Sequence, residues 1–199
     1  LFMVMASALP VEEEASRQKL SQLIAEYHLG GIIFSRGTPQ TQIRLTNSFQ
    51  EAATTPLLIA MDAEWGAAMR LDSTFAFPWN MTLGAIQDSL LLRDIGRAIG
   101  EQLGQLGVHI NFAPVLDINT NPENPIIGNR SFGEDPGRVS RSARAVMKGM
   151  QEAGILSTGK HFPGHGDTSV DSHKALPQVL FDRSRLDTVE LRPFRDMIE

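Results

Sequence analysis

Apolar runs and helical patterns alternate along this chain with a regularity that admits few architectures. Short apolar runs at 31–34, 57–62, 108–115 and 155–160, with a weaker one at 1–6, read as strands. Between them, residues 13–27, 40–53, 89–106 and 136–153 carry apolar residues at helical spacing, and an amphipathic pattern over 186–199 begins another helix. Strands separated by helices run parallel, because each helix returns the chain to the same end of the sheet. The expected fold class is α/β. With 42% hydrophobic and 21% charged residues over 199 positions, the chain can bury one substantial core and is not a disordered segment.

The helix at 89–106 spaces Gly96, Gly100 and Gly104 four residues apart, so they share a face. Each costs about 1 kcal/mol against alanine in a helix interior, and close helix-to-sheet packing is the expected compensation. Arg93, Asp94, Arg97 and Glu101 interrupt the segment and exclude a membrane reading of the spacing. No apolar run elsewhere approaches the roughly 20 residues of a membrane span.

A net charge of -5 and dispersed Lys and Arg argue against nucleic acid as a partner, since phosphate binding calls for a clustered basic surface. The absence of cysteine excludes disulfides and thiolate zinc sites but leaves the compartment open between a reducing cytoplasm and a periplasm. Leu1 reads as an internal position, and 186–199 has no C-cap, so 1–199 is expected to be one portion of a longer domain.

The polar residues gather where strands end. Asp62 and Glu64 follow one run, Asp117 the next, and Lys160 with His161 the last. In parallel β/α architectures, loops after the strands build the active site, whereas chance contact of strand ends with water explains one such position more readily than three. The segment KHFPGHGDTSVDSH at 160–173 brings one lysine, three histidines and two aspartates together, and its Pro163, Gly164 and Gly166 mark a loop with an unusual backbone path. His161, His165, Asp167 and His173 admit a metal reading, although no HExxH helix is present. In the other reading, His165 and Asp167 brace the loop.

MDAEW at 61–65 followed by Arg70, NFAPVLD at 111–117, IGNRSFGEDP at 127–136 and the 160–173 segment resemble, in order and spacing, glycoside hydrolase family 3, and most of all its β-N-acetylglucosaminidase branch. The resemblance implies a (β/α)8 TIM-barrel-like domain of which this chain holds about the first five β/α units. It implies that Asp62, Arg70, Arg130, Lys160 and His161 bind the hydroxyls of a terminal N-acetylglucosamine. Such charge-assisted bonds are roughly twice as strong as neutral ones. For Arg130 the alternative is a local salt bridge to Glu134 or Asp135.

By the same resemblance His173 is the general acid/base and Asp171 orients it, in place of the usual second carboxylate of glycosidases. A local turn at Asp171 is the plainer alternative. The family's aspartate nucleophile matches nothing after His173 and is expected beyond Glu199; the 199-residue piece alone should be inactive.

The implied activity is retaining, exo-acting hydrolysis of β-N-acetylglucosaminides, with peptidoglycan-derived sugars as substrate and neither organic cofactor nor metal in the chemistry. A glycoside phosphorylase, another β-glycosidase of the family and a sugar-binding protein without catalysis are the rivals. Trp65 stands where many relatives carry a glycine-rich segment, either as part of a sugar platform or as a structural aromatic.

Overall fold

The fold, taken from a computed structural model, is described for residues 5–7, 14–168 and 181–198. Five strands stand among these residues: β1 Met5–Ser7, β2 Gly31–Phe34, β3 Leu58–Met61, β4 Ile110–Asn111 and β5 Leu156–Ser157. All neighbours are parallel, in the order β1-β2-β3-β4-β5. A doubly wound sheet reverses direction at a switch point; this one adds each new strand on the same side, as the wall of a barrel does. The α/β class and the parallel sheet are as the alternation of patterns requires.

The helices are α1 Glu14–Tyr27, α2 Pro39–Ala52, α3 Asn80–Gly84, α4 Ser89–Gln105, α5 Pro136–Glu152, α6 Arg183–Thr188 and α7 Arg192–Ile198. Their starts follow from capping chemistry. Asp88 accepts from Leu90 N at 2.9 Å, and Asp135 accepts from Arg138 N at 2.7 Å with Pro136 in the first helical position. Ile32, Ile59 and Met61 of the sheet are fully buried, as are Leu103 of α4 and Val139 and Ala143 of α5. These side chains fix the strand ends against the helical layer.

Three expectations are corrected. The pattern at 186–199 is not one helix, because Pro193 has no N–H to bond back to the preceding turn and is accommodated instead in the first turn of a new helix; α6 ends at Thr188 and α7 begins at Arg192. The run at 108–115 holds only a two-residue strand, since Pro114 cannot donate to a ladder, although pairing resumes where Leu116 N donates to Lys160 O at 2.6 Å. The glycine face of α4 meets a helix rather than the sheet. A Cβ at Gly96 would stand 2.1 Å from Val146 O of α5, and one at Gly149 of α5 would stand 2.0 Å from Arg93 O, so the backbones cross in direct contact. Gly104 faces open space.

Candidate active site

The ends of β3, β4 and β5 converge on one polar cluster. Past β3 the chain turns through a short 3-10 segment at Ala67–Met69, which brings Arg70 back over the strand end. Its Nε donates to Asp62 O at 2.9 Å and its Nη2 to Asp62 Oδ2 at 2.6 Å. Lys160, from beyond β5, donates to the other Asp62 oxygen and lies 2.7 Å from Glu64 Oε1. Arg130 ends a 3-10 turn in the loop after β4 and grips Glu64 as a fork, Nε to Oε2 at 2.9 Å and Nη2 to Oε1 at 2.6 Å. Its remaining donors reach Ile126 O at 3.1 Å and His161 Nε2 at 3.2 Å.

Asp117, with a fully buried side chain, organises the loop that follows β5. It accepts from the backbone N–H of His161 at 3.3 Å and of His165 at 2.7 Å. His161 Nδ1 stands 2.5 Å from its Oδ2. A carboxylate can only accept and a guanidinium can only donate, so these partners assign the His161 ring proton to Nδ1 and leave Nε2 as the acceptor for Arg130. The glycines of this loop have definite duties. Gly164 has φ +138°, and a Cβ at Gly166 would lie 1.7 Å from Ile118 O. The loop is further held by Asn124 Nδ2, which donates to His165 O at 2.7 Å.

Burial works against ionised Asp62, but the Lys160 ammonium and the Arg70 guanidinium outweigh it and hold the carboxyl below its ordinary range. Burial likewise opposes the charge of Arg130, yet Glu64 raises its pKa above the usual value. Asp62 keeps 27% of its side chain accessible and His161 34%. Each Asp62 oxygen has a further lone pair, and Lys160 has a further N–H, to offer a ligand. The open side of the cluster thus presents an acceptor flanked by donors, a pattern suited to adjacent hydroxyl groups.

Asp62, Arg70, Arg130, Lys160 and His161 therefore come together. Arg130 is not in a local bridge to Glu134 or Asp135; its carboxylate is Glu64, which follows another strand. Asp171 and His173 lie outside the described residues. His161, His165 and Asp167 face separate partners: Asp117 for the first, Thr168 for the second, and Arg185 at 3.5 Å for the third. That geometry matches bracing of the loop by His165 and Asp167. Glu64 and Asp117 complete the cluster; their strand-end positions and their places in MDAEW and NFAPVLD mark them in the sequence, although neither is assigned a site role there. A cleft of about 560 Å³ lined by residues such as Gln87, Leu92, Arg138 and Arg141 shares none of these groups, and chemistry rather than volume locates the site.

A family model described as the N-terminal domain of glycosyl hydrolase family 3 matches residues 2–199. The chain belongs to glycosyl hydrolase family 3. This family 3 chain is 42% identical over 194 residues to beta-hexosaminidase A of Pseudoalteromonas piscicida, covering 91% of the chain and 32% of that protein. It superposes with a TM-score of 0.89 and 44% identity on a family 3 beta-N-acetylglucosaminidase from Paenibacillus sp. strain FPU-7, covering 98% of the chain and 38% of that structure. NagZ from Neisseria gonorrhoeae, solved in complex with N-trifluoroacetyl-D-glucosamine, gives a TM-score of 0.84 at 34% identity, with 98% and 59% covered. The chain thus spans from about a third to somewhat over half of the length of these family 3 relatives.

Proposed function

We propose that the protein to which this chain belongs is a retaining exo-β-N-acetylglucosaminidase acting on peptidoglycan-derived sugars. The observation that carries the reading is the meeting of Asp62, Arg70, Lys160 and His161 from separate strand ends, with Asp62 still accessible. The relatives named beta-hexosaminidase and beta-N-acetylglucosaminidase support it, as does a relative that holds an N-acylated glucosamine.

In this reading Asp62 accepts from adjacent hydroxyls of the terminal sugar while Arg70, Lys160, Arg130 and His161 complete its polar surround. Residues 1–199 form the first part of the catalytic barrel, and the carboxylate nucleophile lies beyond Glu199. Attack of that carboxylate on the anomeric carbon forms a glycosyl-enzyme as His173, oriented by Asp171, gives its proton to the departing oxygen. Water then displaces the carboxylate and returns a proton to His173.

The test is hydrolysis of a chromogenic β-N-acetylglucosaminide by the full-length protein beside His173→Ala. Loss of about 10²- to 10⁴-fold in kcat is expected from removing a general acid/base. Phosphate-dependent release of a sugar 1-phosphate would transfer the assignment to a phosphorylase, and binding without turnover to a sugar-binding protein.

A further inference from the structure

The cleft of about 560 Å³ stands at the same end of the sheet as the polar cluster, because α4 and α5 follow β3 and β4 and begin where those strands end. Residues from the starts of both helices and from the end of α3 line it. It adjoins the loop that carries Arg130. A Cβ at Gly84, which lines the cleft, would stand 1.8 Å from Phe132 O, and Asn80 of the same short helix donates from Nδ2 to Arg130 O at 2.8 Å. Leu92, 2% exposed, and Ile86 give the cleft an apolar side.

Its other side is basic. Arg138 and Arg141 are exposed, and among the described residues neither guanidinium has an ion pair or a hydrogen bond. A Cβ at Gly137 would stand 3.4 Å from Arg141 Nη1, 3.4 Å from Asp135 Oδ1 and 3.5 Å from Arg192 Nη2, so two cations crowd one carboxylate. That carboxylate already accepts from Arg138 N, and Arg192 has Asp196 at 3.7 Å, which leaves the charge of Arg141 unmatched. Ser142 is only 3% exposed, lines the cleft and has no hydrogen-bond partner for its hydroxyl among the described residues. A buried hydroxyl without a partner is costly, and a ligand in the cleft supplies one.

We infer that this cleft is a binding site, separate from the polar cluster, for a small carboxylate that carries an apolar substituent and an amide. Arginine forks meet a carboxylate with paired N–H bonds. Ile86 and Leu92 cover the apolar substituent, while Ser142 and Gln87 meet the amide. A doubly charged phosphate fits less well, because it draws on the first N–H groups of helices and these are taken: Asp88 caps Leu90 N and Leu91 N, and Asp135 caps Arg138 N. The two capping carboxylates also repel a second negative charge.

The full-length protein is titrated calorimetrically with N-acetylalanine and with its uncharged primary amide, beside a double variant carrying Arg138→Gln and Arg141→Gln. Glutamine has nearly the helix propensity of arginine and both positions are exposed, so the variant should fold. The acid should bind the wild type about tenfold or more tightly than the amide does, and the double variant should lose about tenfold or more of that affinity. Ser142→Ala should weaken it about fivefold. Equal binding of acid and amide, no binding of either, or affinity retained in the double variant overturns the inference; the last outcome would place the carboxylate at Arg70 and Lys160 instead. Tighter binding of inorganic phosphate than of N-acetylalanine overturns it as well. No turnover is read, so failure of the glycosidase reading leaves the result unaffected.

Discussion

Glu64 has no exposed side-chain surface and holds two cations, Arg130 and Lys160, at 2.6 and 2.7 Å. Removing one partner of such a buried network leaves the others uncompensated in a poorly polarisable environment. Glu64→Gln should lower stability by about 3 kcal/mol, read as a shift in the urea unfolding midpoint, and should weaken N-acetylglucosamine binding because Arg130 and Lys160 lose their anchor. Asp62 differs in being partly open and in having its pKa depressed by Lys160 and Arg70 against the cost of burial. A depressed folded-state pKa stabilises at pH above the ordinary carboxylate value and ceases to do so as the group is protonated in acid. The stability gap between wild type and Asp62→Asn should therefore be full near neutral pH and close as pH falls below about 4, which unfolding curves across that range will show. Asp62, Lys160 and His161 were legible because motif and strand-end position coincide, whereas Arg70 and Arg130, far along the loops after β3 and β4, were named by the family resemblance alone. The bond from Arg130 to Glu64 was not legible, since it joins loops 66 positions apart and local sequence offered Glu134 and Asp135 as nearer partners.

Among the elements, α4 and α5 show the value of a missing side chain. Gly96 and Gly149 let the two backbones touch, and a methyl group at either would meet a carbonyl oxygen near 2 Å. Gly96→Ala should cost about 2–3 kcal/mol as the helices are forced apart, while Gly104→Ala, facing open space, should gain about 0.5–1 kcal/mol from helix propensity. Thermal unfolding of the two variants should move in opposite directions. The exposed Arg93–Glu152 pair that also joins these helices adds little. The four-residue glycine spacing revealed a close approach but not its partner, because periodicity describes one surface and is silent on what covers it. Prolines explain the misjudged ends. Pro193 and Pro114 each remove one donor, and a reading based on apolar spacing alone passes over a lost N–H.

For the whole molecule, the one-way order β1 to β5 leaves β5 paired on one side only among the described residues, with Leu156 60% exposed. An unpaired strand edge with apolar side chains invites pairing with another copy. The 199-residue polypeptide expressed alone should therefore associate, visible in light scattering as a mass well above that of one chain, and should not turn over the chromogenic substrate. The molecule carries a net charge of -5, but at the ends of β3, β4 and β5 the carboxylates of Asp62, Glu64 and Asp117 are matched by Arg70, Arg130 and Lys160. Among the described residues the three carboxylates and three cations of this cluster thus cancel in number, so they add little net attraction at a distance. An electrically neutral sugar is then neither drawn in nor turned away from a distance, and ionic strength should have little hold on its capture. Selection begins only at contact, where the directions of donors and acceptors decide which ring stays.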